Sequence, residues 1–214
     1  MKALVSWSGG KDSCFAFMQA QTAGYQPAVL FNVMNETGNR SRSHGLPQHI
    51  LQQQADALAL PLVTIAASWE AYEENYIAML QQLVPAYQLT HAIFGDIDLQ
   101  AHRDWEEKVC AAADITAVLP LWQGNRKDLV LQMLSAGITT MIVSCNTHLG
   151  IDFLGRTLDL SLLNDLEAKG VDVCGENGEF HTAVIDCPLF RSPVKLPACT
   201  KIIHGDYCFL QWEV

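Results

Sequence analysis

The run Ser8-Gly9-Gly10-Lys11-Asp12-Ser13 sets two adjacent glycines, a lysine, an aspartate and two serines between an apolar segment and a helix-forming one. Residues of these types at this spacing can hold a polyphosphate. The glycines permit a tight bend and let backbone N–H groups approach an anion with no Cβ in the way. Those N–H groups stand at the positive end of the following helix. Lys11 adds a cation, and Ser8 and Ser13 add hydroxyls, a set better suited to several phosphate oxygens than to one carboxylate. Asp12 can hold Mg²⁺ beside phosphate oxygens and water, or it can simply cap the helix in its first turn. A glycine-rich turn without a ligand is the plainer alternative, and the lysine, aspartate and serines in register weigh against it.

Such a turn needs a strand to end and a helix to begin around it. Ala3-Leu4-Val5-Ser6-Trp7 is short and mostly apolar, as a central parallel strand should be. Residues 13–23 carry Phe15, Met18 and Ala20 without Pro or Gly, which predicts a helix packed on one face. The alternation continues with strands over 28–33, 62–66, 91–94 and 116–119 and helices over 48–60, 69–87 and 103–113. Five strands separated by helices predict an α/β fold built on a doubly wound five-stranded parallel sheet. Ligands of such sheets bind beyond the carboxyl ends of the strands, where Asn32, Asn35, Gly95 and Asp96 should converge with the glycine turn.

After Pro120 the pattern changes to helices over 127–136 and 158–169 and strands over 139–143, 183–185, 201–204 and 207–212. This predicts a nucleotide-binding unit over residues 1–120 and a smaller C-terminal α+β unit over 121–214.

The chain has 214 residues, half of them hydrophobic and 17% charged, which excludes disorder and provides for a substantial core. Thirteen Lys and Arg against 23 Asp and Glu give a formal charge of -10, which disfavours an extended nucleic-acid surface. No apolar stretch is long enough to span a membrane and the first residues enter a core strand at once, so the cytoplasm is the expected compartment. The seven cysteines are dispersed, odd in number and never form Cys-x-x-Cys, which fits reduced packing residues.

A second constellation, Cys174-Gly175-Glu176-Asn177-Gly178-Glu179-Phe180-His181-Thr182, gathers two carboxylates, an amide, an imidazole and a hydroxyl around two glycines. By itself it reads as an Asn-Gly turn joining two strands. Beside a nucleotide loop it reads as a loop that presents hydrogen-bonding groups to a ligand.

The turn at Ser8 fails the Walker A test, because Asp12 stands where Ser or Thr is needed and Val5 where the first Gly is needed. It resembles instead the SGGxDS loop of the PP-loop ATP pyrophosphatases, adenine nucleotide alpha hydrolase-like enzymes that cleave ATP to AMP and pyrophosphate. Together the two motifs resemble the diphthine-ammonia ligase family, whose signature is a Gly-Glu-x-Gly-Glu-aromatic run, Thr two residues later and then Asp-Cys-Pro-Leu-Phe, here Asp186-Cys187-Pro188-Leu189-Phe190. Gly95, Arg103 and Glu107 match that family's middle motif and His44 the loop after the second strand, so the resemblance covers nearly the whole chain. The chain departs from the family's Gly-Gly-Glu-Tyr-Glu-Thr at Asn177, Phe180 and His181, which alters the acceptor pocket in charge and bulk.

The resemblance implies an AMP-forming ligase that makes an amide from ammonia and a carboxylate on a small molecule or a modified protein side chain, using ATP and Mg²⁺. Ser8, Gly9, Gly10, Lys11, Asp12, Ser13, Gly95 and Asp96 would bind the nucleotide, with Asp12 on the metal. His44, Glu176, Asn177, Gly178, Glu179, Phe180 and Thr182 would face the acceptor. Lys11, Asp12, Arg103, Glu176, Glu179 and His181 are the expected catalytic set, with Arg103 as a further phosphate clamp and His181 as the motif residue expected to titrate near neutral pH. Glu176 and Glu179, three apart, are placed to hold one cationic group between them. A second copy of the chain is allowed as a partner. The alternatives are a PP-loop enzyme of tRNA base modification or sulfur transfer, and a non-catalytic adenine-nucleotide binder.

Overall fold

The computed structural model describes residues 1–213. Strand and helix alternate through its first half: β1 (Lys2–Ser6), α1 (Lys11–Thr22), β2 (Gln26–Met34), α2 (Gln48–Leu58), β3 (Leu62–Ala66), α3 (Tyr72–Tyr87), β4 (His91–Ile93), α4 (Gln100–Ala111) and β5 (Thr116–Val118). The strands form one parallel sheet in the order β3-β2-β1-β4-β5. β1 is central, and its Ala3, Leu4 and Val5 are fully buried between helices on both faces. That explains why this strand is a continuous apolar run without alternation. The chain order reverses between β2 and β4 on either side of β1, which opens a crevice at the carboxyl end of β1.

The second half contributes α5 (Arg126–Ser135), β6 (Thr139–Asn146), α6 (Leu160–Ala168), β7 (Phe180–Asp186), β8 (Cys199–His204) and β9 (Tyr207–Trp212), with a 3-10 turn over Ile151–Phe153. Asn125 and Asp159 start the two helices by accepting from the N–H groups of Asp128 and Leu162. The four strands form an antiparallel sheet in the order β7-β6-β9-β8. The α/β architecture with a five-stranded parallel sheet is thus the expected one, joined by a smaller antiparallel sheet.

Two of the differences from the pattern read in the sequence bear on the site. α4 starts at Gln100, three residues early, so Arg103 lies one turn inside it. β7 starts at Phe180, so Phe180, His181 and Thr182 belong to a strand, where a loop through Thr182 was expected. They pair with Cys145, Ser144 and Ile142 of β6. Phe180 and Thr182 are buried and His181 points to the other face, an alternation too short to stand out beside the Asn-Gly turn before it.

The two sheets meet at Gln54 of α2, which is fully buried. Its Oε1 accepts from Trp7 Nε1 at 2.9 Å, and its Nε2 donates to Gly9 O at 3.0 Å and Val184 O at 2.8 Å. Val184 N also donates to Gly9 O at 2.9 Å. One side chain therefore binds the end of β1, the glycine turn and β7. Substituting Gln54→Met keeps the volume but strips Trp7 and two carbonyls of a partner, and should cost about 2–4 kcal/mol in urea unfolding. A midpoint within error of the parent would contradict this bridging role.

Candidate active site

The carboxyl ends of β1, β2 and β4 open on a cavity of about 680 Å³ whose far wall is β7 and the turn before it. At its floor the Ser8 hydroxyl meets that of Ser13 at 3.0 Å and accepts from Gly10 N at 3.3 Å, while Ser13 Oγ donates to Gly10 O at 3.1 Å. The turn is held open as a cradle ahead of α1. Two of its close approaches exclude a side chain. A Cβ on Gly95 would lie 2.8 Å from both Asp12 C and Ser13 N, and a Cβ on Gly10 would lie 2.9 Å from His44 Nδ1. Gly95 thus lets the end of β4 lie directly on the start of α1, and Asp96 follows it into the cavity wall.

Lys11 is only 3% exposed. Its Nζ donates to Asp12 Oδ2 at 2.7 Å and to Cys174 O at 2.5 Å, and it lies 5.7 Å from the centre of the Phe180 ring. Burial works to lower its pKa, but the neighbouring carboxylates, Asp12 first through charge and hydrogen bond and then Glu176, outweigh burial and hold it well above the usual lysine range. The backbone N–H of Lys11 donates to Thr182 Oγ1 at 3.1 Å, and Thr182 O pairs with His44 Nδ1 at 2.7 Å. The two motifs, far apart in sequence, are one continuous wall.

Within the second motif the side chains divide. Glu176, Gly178, Phe180, His181 and Thr182 border the cavity. Glu179 does not: its carboxylate accepts from the backbone and side-chain N–H groups of Asn177, each at 3.0 Å. Asn177 in turn accepts from Arg126 at 3.3 Å and also lies off the cavity wall. Glu176 and Glu179 therefore do not face one cation together, because Glu179 is spent on bracing the turn. Arg103 is likewise outside, paired with Glu107 at 2.7 Å and lying over the Trp122 ring at 5.1 Å.

The titrating group of the motif is also not the expected one. Burial, the neighbouring His44 and Lys11 push His181 down to about 3, and burial and Lys11 push His44 down to about 4 against a backbone hydrogen bond at Thr182. Both rings, 4.8 Å apart, are neutral near pH 7. Glu176 moves the other way, to about 7, through burial and the repulsion of Asp12. Candidate ligand atoms of Asp12, Cys174 and Glu176 lie within 4.8 Å of one another. Two carboxylates forced together are what Mg²⁺ accepts, and the burial-raised Cys174 thiol stays protonated. The donor set fits a hard divalent cation.

Groups that the sequence reading passed over also line the cavity. Glu106 is 3% exposed and its Oε2 has no partner, and burial followed by its neighbour Asp96 pushes its pKa up to about 11. Tyr72, Tyr76 and Trp105 stand beside it. A carboxylate three and four residues before the buried Val109 and Cys110 was the available signal, since it places Glu106 on the apolar stripe of α4.

A parallel sheet with a Ser-Gly-Gly-Lys-Asp-Ser turn at the head of its central strand defines a PP-loop type of α/β protein. The chain belongs to the diphthamide synthase family: residues 1–116 match the family model for the diphthamide synthase N-terminal domain and residues 125–213 that for its C-terminal domain. It is 32% identical to the diphthine–ammonia ligase of Homo sapiens over 98% of this chain and 88% of that protein. The diphthine–ammonia ligases of Bos taurus and Mus musculus are 31% and 29% identical, with the same coverage of each chain. Among solved structures, one described as a predicted subunit of tRNA methyltransferase from Methanocaldococcus jannaschii superposes with a TM-score of 0.48 at 17% identity, over 88% of this chain and 98% of that one.

The raised Glu176 makes stability depend on pH. Between its ordinary value of 4.5 and about 7 the folded state binds more protons than the unfolded state, so stability is lost as pH rises through that window. Glu176→Gln should therefore gain in thermal midpoint over the parent above pH 7, with the gain vanishing towards pH 4.5, and Mg²⁺ should narrow it. A gap that does not change with pH would show that Glu176 carries no such burden.

Proposed function

We propose that the chain is an ATP-dependent ligase that activates an acceptor carboxylate as an acyl adenylate and joins it to ammonia as an amide, releasing AMP and pyrophosphate. Family membership supports the ligase class, since the curated relatives are named diphthine–ammonia ligases. The observation that carries the site assignment is the meeting of Lys11, Asp12 and Glu176 at the head of α1. It joins a cation, a metal-binding carboxylate pair and a helix N-terminus at one point of the cavity.

In this reading Ser8, Gly9, Gly10, Ser13 and Gly95 cradle the phosphates, and Lys11 offsets charge as the leaving pyrophosphate develops it. Mg²⁺ held by Asp12 and Glu176 would screen the phosphates against the attacking carboxylate. Lys11, paired with Asp12 at 2.7 Å, would exchange that partner for a phosphate oxygen where Asp12 holds Mg²⁺. The division of labour at residues 120 and 121 needs two amendments. Residues 1–120 supply the cradle and 121–214 most of the acceptor wall, but Glu176 of the second unit serves the nucleotide side and His44 of the first serves the acceptor side. Of the residues that depart from the family motif, Phe180 and His181 border the cavity and Asn177 does not. Acceptor selectivity is therefore assigned to the neutral His44–His181 pair and the Phe180 ring. Sulfur transfer has less support, because all the cysteines but Cys199 are buried.

Chromatography after incubation with ATP, Mg²⁺, ammonium and candidate acceptors tests the reaction: AMP and pyrophosphate are expected, and ADP as the main product would overturn the mechanism. Lys11→Met keeps the buried stem while removing the charge, and should cut turnover by about a hundredfold, ~3 kcal/mol at the transition state. Circular dichroism checks that the variant is folded, and undiminished turnover would remove Lys11 from the catalytic set.

A further inference from the structure

We infer that Glu106 and Asp96, flanked by Tyr72, Tyr76 and Trp105, form a subsite in the cavity wall for an ammonium-type cation. The first observation is Glu106 itself. It lies on the buried face of α4, 3% exposed, and its Oε2 is buried without a hydrogen-bond partner although the residue borders the cavity. A buried oxygen without a partner is costly, and folded chains keep few of them. A ligand with an N–H to donate removes that cost.

The second observation is the charge beside it. Burial would raise the Asp96 carboxyl, but hydrogen bonds from His102 and Glu106 outweigh it and hold Asp96 ionised. Among the described residues its ion pair is with His102, Nδ1 to Oδ1 at 2.6 Å, and that imidazole is 58% exposed. No lysine or arginine pairs with either carboxyl among the described residues, so the negative charge at the end of β4 faces the cavity uncompensated by a permanent cation.

The third is the aromatic surround. Trp105 packs against Tyr72 at 5.6 Å and Tyr76 at 5.0 Å between ring centres, and all three rings border the same cavity as the two carboxyls. Both phenols are held neutral by burial. Neutral rings with negative faces beside an ionised carboxylate favour a cation over an anion or a neutral group. Asp96 also lies within electrostatic range of Glu176, whose pKa it helps to raise. A cation here is therefore delivered next to the carboxylate pair at the head of α1. Two sources share this chemistry: free ammonium as the nitrogen donor, and a cationic nitrogen on the acceptor. The role as nitrogen-donor site rests on the amide-forming reading; the site itself does not.

The test is the thermal midpoint of the full chain titrated with ammonium chloride or methylammonium chloride at constant ionic strength, with sodium chloride as the reference. A saturable rise at concentrations at least fivefold below any rise with sodium is expected for one or both cations. A rise with ammonium alone identifies free ammonium as the occupant; a rise that includes methylammonium, which keeps N–H groups to donate, identifies a cationic nitrogen carried on the acceptor. Glu106→Leu should abolish the saturable rise. Where Glu106→Leu does not fold, Asp96→Asn, which keeps shape and removes the ionised carboxylate, should raise the half-saturating concentration at least fivefold. The inference is overturned if neither cation exceeds sodium, or if the folded variant responds like the parent. Absence of AMP with every acceptor would instead defeat the amide-forming reading and leave a positive cation titration standing.

Discussion

A single carboxamide fixes the geometry on which the cavity depends. Gln54 has one acceptor and two donor positions in the directions it uses, and the end of β1, the glycine turn and β7 take all of them. Apolar packing alone would bring the two sheets together, since one core cluster runs from Val5 and Phe15 to Ile142 and Phe180. Apolar contact is not directional, however, and leaves the sliding of β7 along the glycine turn weakly determined. The bonds from Gln54, with the bond from Lys11 N to Thr182 Oγ1, set that register to the residue. Once it is set, Cys174 O lands on Lys11 Nζ and Glu176 lands beside Asp12.

The consequence is an imbalance of charge. Asp12, Asp96, Glu106 and Glu176 all border a cavity in which Lys11 is the buried cation. The protein responds with protons, retaining one on Glu106 and raising Glu176 to about 7. A site that stores protons on carboxyls in this way is prepared for cations to replace them. The excess of acidic residues is thus partly a property of the site.

What was legible in the sequence was what is local. The Ser8 to Ser13 turn and the parallel strands declare themselves in short runs, because a buried strand must be apolar and a phosphate turn must be small. What was not legible depends on which residues meet in space. Phe180 to Thr182 look like the tail of a polar turn until β6 pairs with them. Glu179 looks like a partner of Glu176 until Asn177 claims it. Arg103 carries a charge suited to phosphate, yet its position on α4 points it to Glu107 and Trp122. Glu106, one residue before Glu107 and reading like it in sequence, is turned inward by about 100° of helix, and that rotation separates a solvated pair from a buried acid.

The histidines set the charge of the cavity wall opposite the carboxyls. In the motif, His181 stands where the resembling family has an acid, and a protonated imidazole there would have reversed the charge of the wall. It does not, because burial beside His44 and Lys11 keeps both rings neutral. The change therefore removes a negative charge without adding a positive one. That matters in a cavity already crowded with carboxyls, since another acid next to Asp12 and Glu176 would raise Glu176 further and deepen the demand for cations. The wall at His44 and His181 is left able to donate or accept hydrogen bonds without committing a charge. The charged work then falls to Lys11 and the carboxyls opposite, and the shape of an acceptor is read by neutral rings.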